Sequence, residues 1–411
     1  MAGPLRAADA ARYSVRPLTA GGEALREAVL RLGRGPQGLV ALAAHGAGTA
    51  LALRGLAADE TRILENQLRR LGGEVLSNAD GDRAVLLGPL RAFGELPTAL
   101  VEWGRRTEVL GAAIQAALAG AASAPAPVAA GPHRLVFGRR TAVMGVVNTT
   151  PDSFSGDGVG SDVDAAVALG EAMAAAGADL IDVGGESTRP NSAPVSAEEE
   201  LARVIPVVGE LSRRLAIPVS IDTRKAQVAR AAIGAGATVV NDVWGLRGDP
   251  GMAAAVAETG VAVIAMHNQQ EIAYDDVVED VAGGLRQSLA VAEAAGIDVE
   301  RVVVDPGIGF AKRPAHNLEL LRRLGELRGM GRPIMVGASR KSTIGHLLGG
   351  APPQDRLEGS LALAVLAAAG GADIVRVHDV VETVRALRVA DAVIRGTPAE
   401  IADLPAPGPT G

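Results

Sequence analysis

Polar residues follow a series of short apolar runs in the second half of the sequence, and one set of them is rich in hydrogen-bond acceptors. Its clearest members are Asp222, Asn241 and Asp305. A carboxylate accepts two parallel hydrogen bonds, so carboxylates beside a carboxamide suit a flat ring with adjacent N–H donors. This set therefore predicts recognition of a nitrogen heterocycle.

A second set is cationic and comprises Lys341, Arg376 and His378. Arg376 and His378 alternate along one predicted strand, so both side chains face the same side of the sheet. Ser342 and Thr343 then begin a predicted helix, and the free N–H groups of a helix start bind phosphate. Taken together, the two sets predict a site for a nitrogen heterocycle that carries phosphate.

The elements that must position these residues form a regular series. Short runs rich in β-branched residues alternate with Ala-rich helical segments, and the runs read AVMGVVN, LIDVGGE, VSIDT, VVNDV, VAVIAMH, VVVDPG, IMVGAS and IVRVH. Eight such units over roughly 250 residues predict a (β/α)₈ TIM barrel, whose site lies where the strands end. A doubly wound sheet is the alternative, but no run precedes the glycine-rich dinucleotide turn.

Composition excludes several classes of protein. The chain contains no cysteine, which rules out disulfides, thiolate metal sites and cysteine nucleophiles. Its net charge of -7 argues against nucleic acid as a partner. No apolar run reaches the roughly 18 residues of a membrane helix, and none near the start has signal-peptide length. We therefore expect a cytoplasmic protein with small-molecule partners, no nucleic acid and no membrane.

Two composition breaks divide the chain. Residues 119–132 read AGAASAPAPVAAGP and predict an exposed Ala/Pro linker. Before it we predict a small α/β domain over residues 1–118, with no assigned chemistry. After it we predict the barrel domain over residues 133–396 and a flexible tail over 397–411. Within the first domain the patterns predict a strand over 38–45, a hairpin of 74–78 with 83–88, and helices over 58–71 and 94–118.

Eight motifs then resemble the dihydropteroate synthase family, in the family's order. MGVVNTTPDSFSGDG and DVGGESTRP resemble its first two loops, and SIDT, VVND, MH, DPGIGF, GASRKS and RVHDV resemble its remaining motifs. The resemblance covers about 138–396 and leaves the N-terminal domain unexplained. It also implies a (β/α)₈ barrel.

The resemblance implies a role for each matching residue. The catalytic residues would be Asp222, Lys341, Arg376 and His378. The pterin would contact Asp222, Asn241, Val243, Met266, Asp305, Gly337 and Lys341. The aminobenzoate would contact Phe154, Thr188, Arg189, Pro190, Phe310, Lys341 and Ser342. The diphosphate would contact Asn148, Arg376 and His378, with Asn148 also reaching a Mg²⁺ cofactor. Asp157 and Arg189 would close the loops.

The implied activity is that of a transferase of alkyl groups other than methyl, which joins a pterin methyl diphosphate to 4-aminobenzoate in folate biosynthesis. A homodimer is implied as well. One departure from the family is the order Gly156-Asp157, where relatives read Asp-Gly, so Asp157 is displaced by one position. The alternatives are a methyltetrahydrofolate-dependent corrinoid methyltransferase, which needs neither the TPDSF and STRP loops nor the RVH motif, and a non-catalytic pterin-binding protein.

Overall fold

The computed structural model describes residues 12–18, 23–33, 48–149, 162–186 and 195–396. Its N-terminal unit is an antiparallel sheet in the order β1-β2-β4-β3 with helices on both faces. The elements are β1 (Ser14–Leu18), α1 (Glu23–Arg31), β2 (Thr49–Arg54), α2 (Ala58–Arg70), β3 (Glu74–Ser77), β4 (Arg83–Gly88), α3 (Leu90–Val101) and α4 (Arg105–Ala122).

The N-terminal predictions met mixed outcomes. The predicted hairpin is confirmed as β3 paired with β4, and the helix predicted over 58–71 is α2. The single helix predicted over 94–118 was wrong, because two helices, α3 and α4, occupy that stretch and Gly104 between them has a φ of 107°. The strand predicted over 38–45 lies outside the described residues.

The segment predicted as an exposed linker, 119–132, is exposed over most of its length, but both of its ends belong to folded elements. Its first residues complete α4, and its last residues belong to a hairpin of β5 (Val128–Ala130) and β6 (His133–Leu135). Val128 and Ala130 are fully buried against the first residues of the barrel strands. The side chains of β5 alternate between buried and exposed, so its buried face closes the amino-terminal end of the barrel. The Ala/Pro-rich composition of the segment does not indicate this role.

A closed ring of parallel strands follows, which confirms the predicted (β/α)₈ barrel. In chain order they are β7 (Ala142–Asn148), β8 (Leu180–Gly184), β9 (Val219–Asp222), β10 (Val239–Asp242), β11 (Ala262–Met266), β12 (Val302–Asp305), β13 (Met335–Val336) and β14 (Ile374–Val377). Each strand pairs with its neighbour, and β14 pairs with β7. A bridge between Val304 and Ile334 joins β12 to the start of β13 and completes the ring.

Helices cover the outside of this ring: α5 (Val163–Ala175), α6 (Ala197–Arg214), α7 (Ala226–Gly234), α8 (Met252–Thr259), α9 (Val277–Ala294), α10 (Pro314–Arg322), α11 (Ser342–Leu347), α12 (Leu357–Ala369) and α13 (Val380–Arg395). Local sequence starts several of them. Ser196 caps α6 by accepting from the Glu199 N–H at 3.2 Å, and Asp276 caps α9. No helix in the described ranges is long and apolar enough to cross a membrane.

The N-terminal unit packs tightly on one side of the barrel. Strand β1 and helix α4 lie against a 3-10 helix, Leu324–Met330, that precedes β13. Arg16 on β1 is buried and forms an ion pair with Glu326 of that helix. Arg286 of α9 donates to the Ser14 hydroxyl at 2.8 Å. The interface is therefore partly ionic and largely closed to water.

Candidate functional site

The carboxyl ends of the barrel strands bring the predicted acceptor residues together. Asp222 ends β9 and pairs in register with Asn241 on β10. Asp305 ends β12 and pairs in register with Met266, which ends β11. Because parallel strands in a barrel end on one face, residues more than eighty positions apart in sequence share a single cleft.

Arg376 connects this acceptor set to the cationic set. Its Nε donates to Asp182 at 2.7 Å, and its Nη2 donates to Asp222 at 2.8 Å. Asn241 also donates to Asp182, at 2.9 Å. Asp182 is completely buried and joins both partners. Sequence reasoning placed the two sets side by side, whereas the structure joins them in one hydrogen-bonded network.

Two carboxylate oxygens in this network lack a partner. Asp182 Oδ1 and Asp222 Oδ1 are buried and accept no hydrogen bond from the described residues. Burial raises the pKa of Asp222, and the neighbouring Arg376 opposes that rise. A buried acceptor without a donor costs free energy, so these oxygens favour a ligand that brings N–H groups. That is the property predicted for the acceptor set.

Asp305 and Lys341 form the other side of the cleft. Asp305 accepts from the Gly307 N–H at 2.7 Å, and burial raises its pKa against the influence of Lys341. The Lys341 ammonium donates to the Ile308 carbonyl. Burial lowers the pKa of Lys341 to about 8, and Asp305 opposes that shift. Lys341 is therefore positively charged at neutral pH but loses its proton under mildly basic conditions.

The residues predicted to contact aminobenzoate lie beside Lys341 where they are described. The Lys341 Nζ is 4.5 Å from the centre of the Phe310 ring. Ser342 is exposed at the start of α11, directly after Lys341. Phe154, Asp157, Thr188, Arg189 and Pro190 lie outside the described residues, so their predicted contacts and loop closure stay predictions.

The predicted diphosphate residues lie near β14 and β7. His378 Nδ1 is 3.0 Å from the Ser339 hydroxyl, which fixes the orientation of the imidazole ring. Asn148 ends β7 and is half-buried.

Three further residues were predicted to contact the pterin. A Cβ on Gly337 would lie 3.6 Å from Arg376 Cβ, so Gly337 borders the arginine. Val243 and Met266 are both buried at the ends of β10 and β11.

Asp182 is the member of this hydrogen-bonded network that sequence reasoning did not select. It was visible at the end of its predicted strand, but its spacing gave no reason to select it over other polar strand ends. Its importance comes from contacts with residues 59 and 194 positions away, Asn241 and Arg376. Only the closed barrel reveals such contacts.

The Mg²⁺ ion that the family resemblance implies stays a prediction, and Asn148 is the described residue expected to reach it. Within those ranges no cluster of three His, Cys, Asp or Glu side chains is arranged to hold a metal. Asn148 supplies a carboxamide oxygen at the mouth of the barrel. Mg²⁺ prefers oxygen ligands and is commonly bound through few protein groups together with substrate phosphates and water.

Comparison with known proteins agrees with this geometry. Residues 144–378 match the family model described as pterin binding enzyme. The dihydropteroate synthase of Bacillus subtilis is 43% identical over 263 residues, which cover 64% of this chain and 92% of the relative. The dihydropteroate synthase of Escherichia coli K12 is 49% identical over 259 residues, covering 61% and 91%.

Solved structures give the same result for the barrel. The Burkholderia cenocepacia dihydropteroate synthase complexed with 7,8-dihydropteroate superposes with a TM-score of 0.61 at 45% identity, covering 66% of this chain and 97% of that one. The Xanthomonas albilineans synthase with 4-aminobenzoic acid gives 0.62 at 47% identity, covering 66% and 98%. The matched region leaves out most of the N-terminal unit. By sequence, by fold and by the residues at its strand ends, the chain belongs to the pterin-binding enzyme family and, within it, to the dihydropteroate synthases.

Proposed function

We propose that the protein condenses 6-hydroxymethyl-7,8-dihydropterin diphosphate with 4-aminobenzoate to give 7,8-dihydropteroate and diphosphate. The observation that carries the proposal is the hydrogen-bonded network of Arg376 with its neighbours Asp182, Asp222 and Asn241. Two buried carboxylate oxygens of this network have no hydrogen-bond donor among the described residues. Relatives crystallised with 7,8-dihydropteroate and with 4-aminobenzoic acid support the choice of substrates.

The pterin ring lies deep in the barrel in this proposal. Its amino and ring N–H groups donate to Asp222 and Asp305, and the Asn241 carboxamide contributes a further polar contact. Lys341 donates to the ring from the same side of the cleft as Asp305. Val243 and Met266 supply apolar walls, because both are buried where their strands end. The carboxylate of Asp222 also stabilises positive charge that spreads into the ring during the reaction.

The diphosphate lies toward β14 and β7, where Arg376, His378 and Asn148 meet it. A Mg²⁺ ion held by the diphosphate and Asn148 would add charge neutralisation to the leaving group. Arg376 contributes a guanidinium that its carboxylate partners hold in a fixed orientation. Ser339 orients the His378 ring, so the imidazole is already positioned to donate a hydrogen bond.

The aminobenzoate lies against Phe310 with its carboxylate near Ser342. Its amino nitrogen attacks the pterin methylene carbon as the carbon–oxygen bond breaks, and diphosphate departs with the bonding electrons. The nitrogen then releases one proton to solvent. No covalent enzyme intermediate is needed, which suits a chain without cysteine. The residues of the site bind and orient both substrates and stabilise charge.

The proposal is tested by measuring dihydropteroate formed by the purified protein from both substrates, with and without Mg²⁺. We expect Mg²⁺-dependent product and its near-complete loss in His378→Ala. Methyl transfer from methyltetrahydrofolate to a corrinoid, without need for diphosphate, would instead support the methyltransferase. Tight binding of the pterin diphosphate without any product would support a non-catalytic pterin-binding protein.

The homodimer and the cytoplasmic location stay predictions. Exposed apolar side chains on α12 and α13, at Leu366, Val381, Val389 and Val393, support a dimer through these helices. Sedimentation equilibrium of the wild type and of Val393→Asp tests this proposal. We expect a dimer that the substitution weakens, and a wild-type monomer would contradict it.

A further inference from the structure

Almost all of the positively charged side chains in this chain are arginines. Of its 40 Lys and Arg residues only three are lysines: Lys225, Lys312 and Lys341. All three follow the carboxyl ends of barrel strands, after β9, β12 and β13. A guanidinium is larger than an ammonium and has a fixed plane, so the two groups are not interchangeable in an enclosed site. The pattern indicates that these positions need a compact cation.

Two of the three lysines already have an explanation. Lys225 bridges the carboxylates of Glu186 and Glu200, and Lys341 belongs to the site described above. Lys312 differs from both, because it is only 8% exposed and makes no salt bridge among the described residues. A buried cation without a carboxylate partner is costly, so its contacts need an explanation of their own.

The contacts of Lys312 join two segments of the barrel mouth. Its ammonium donates to the Phe310 carbonyl at 3.0 Å and to the His267 carbonyl at 3.5 Å. It also lies 3.2 Å from His267 Nδ1. His267 follows the end of β11, while Phe310 lies on the loop after β12. Lys312 therefore fastens that loop to the neighbouring strand.

We propose that Lys312 is a positioning residue that holds the loop of residues 306–311 against the end of β11 and so sets the place of the Phe310 ring. This inference rests on the proposed function, in which Phe310 contacts the aminobenzoate. Lys312 has no place in the substrate contacts described above, and it acts on the substrate through Phe310.

The loop needs this fastening at its far end. Its near end is held because the Gly307 backbone packs on the His267 carbonyl, and its middle is held because Lys341 donates to Ile308. Between Phe310 and Lys312, Ala311 has a φ of 45°, in the left-handed region that a residue with a Cβ rarely adopts. Such strain persists only where neighbouring contacts enforce it, and the Lys312–Phe310 hydrogen bond spans that residue.

Charge at this position also depends on pH. Burial lowers the pKa of Lys312 to about 7, with Asp305 opposing and Lys341 reinforcing the shift. Burial likewise lowers the pKa of His267 to about 3, so that ring stays neutral. The titratable and charged groups facing the pair come from several elements: Asp305, Lys341, Arg247, Tyr274 and His316. The ammonium has three donors, and the neutral amine keeps two.

The test compares Lys312→Met, which removes the donors, with Lys312→Gln, which keeps two N–H donors on a shorter side chain. Arg313→Gln is the matched control, because it removes an exposed positive charge from the next residue. For each full-length protein we would measure kcat, the KM for each substrate between about pH 6 and about pH 9, and the thermal midpoint.

We expect Lys312→Met to raise the KM for 4-aminobenzoate about tenfold, the size associated with a lost buried hydrogen bond. The KM for the pterin diphosphate should change much less, because Asp305 is held by strand pairing rather than by Lys312. Lys312→Gln should recover part of the loss. The wild-type KM for 4-aminobenzoate should begin to rise with pH at about 7, whereas in Lys312→Gln any rise should begin only near pH 8, where Lys341 loses its proton.

Several outcomes would overturn the inference. An unchanged KM for 4-aminobenzoate in Lys312→Met would show that the side chain positions nothing. Equal losses for both substrates together with a lower thermal midpoint would show a purely structural role, as would equal defects in Lys312→Gln and Lys312→Met. If the wild type makes no dihydropteroate, the proposed function fails instead, and the two failures are thereby distinguished.

Discussion

Arg376 Nη2 lies 2.8 Å from Asp222 Oδ2, so the residue expected at the diphosphate is hydrogen-bonded to the residue expected at the pterin. The two halves of the substrate therefore meet side chains that already depend on each other. A change in the charge of either residue therefore alters the electrostatic environment of the other directly. Because the two residues are in direct contact, we expect the effect of substituting both to differ from the sum of the two single effects.

Asp222→Asn is expected to lower kcat/KM for the pterin diphosphate on the order of 100-fold, since it removes an acceptor and a charge that supports the transition state. Initial rates of dihydropteroate formation measure the effect. Asp355→Asn removes an exposed carboxylate on the same barrel and should leave the rate unchanged. A mild effect of Asp222→Asn would place the pterin elsewhere.

Binding of the pterin diphosphate should weaken as pH rises through about 8. The reason is the pKa of Lys341, which burial lowers to about 8, so the ammonium loses its proton above that pH and no longer donates as a cation. Calorimetric titrations across this range would report the decline. In Lys341→Met the affinity should be lower throughout and should no longer fall in that window.

Ser339→Ala should lower kcat by several-fold, less than His378→Ala does, because it removes the group that orients the imidazole but not the imidazole itself. The KM for 4-aminobenzoate should stay near the wild-type value in both variants. Steady-state kinetics with each substrate varied separately would show the split. Equal defects in the two variants would mean that Ser339 itself contacts substrate.

Arg16→Met should destabilise the protein by about 3 kcal/mol, because it leaves the buried carboxylate of Glu326 with one cation fewer. Glu326 retains Arg323, which keeps the loss toward the low end for a buried ion pair. Urea unfolding followed by circular dichroism measures it. Arg230→Met, which breaks an exposed pair with Glu258, is the control and should have little effect.

Gly307→Ala should cost about 2 kcal/mol or more and most of the activity. Its φ is 71°, and an added Cβ would lie 2.1 Å from the His267 carbonyl oxygen. Gly283→Ala is a matched control in α9, where a Cβ would meet nothing within 4 Å, and it should stabilise the helix by about 1 kcal/mol. Thermal unfolding and activity of the two variants test the contrast.

The barrel and its polar mouth could be predicted from sequence, because buried parallel strands produce regular β-branched runs and because polar residues such as Asp222 and Asp305 interrupt them at the ends. The roles of Asp182 and Lys312 could not be predicted in this way. Each depends on partners from distant strands and loops, which local pattern does not contain. Ser339 was visible in its motif, but its contact with His378 required the structure.

The plug at the barrel floor could not be predicted from sequence, for a related reason. A segment rich in Ala and Pro has the composition of a linker, and composition does not say what lies next to it. The short strands β5 and β6 bury Val128 and Ala130 only because the first residues of the barrel strands form a matching apolar surface.

That plug constrains how the molecule melts. The polypeptide leaves the last helix of the N-terminal unit and within a few residues fills the floor of the barrel, while Arg16 and Arg286 fasten the two units from the side. Unfolding of the N-terminal unit would therefore remove Arg16 from the buried Glu326 and Ser14 from Arg286 of the barrel. Calorimetry should therefore record a single cooperative heat-absorption peak, with the calorimetric enthalpy equal to the van't Hoff enthalpy, rather than two separate transitions.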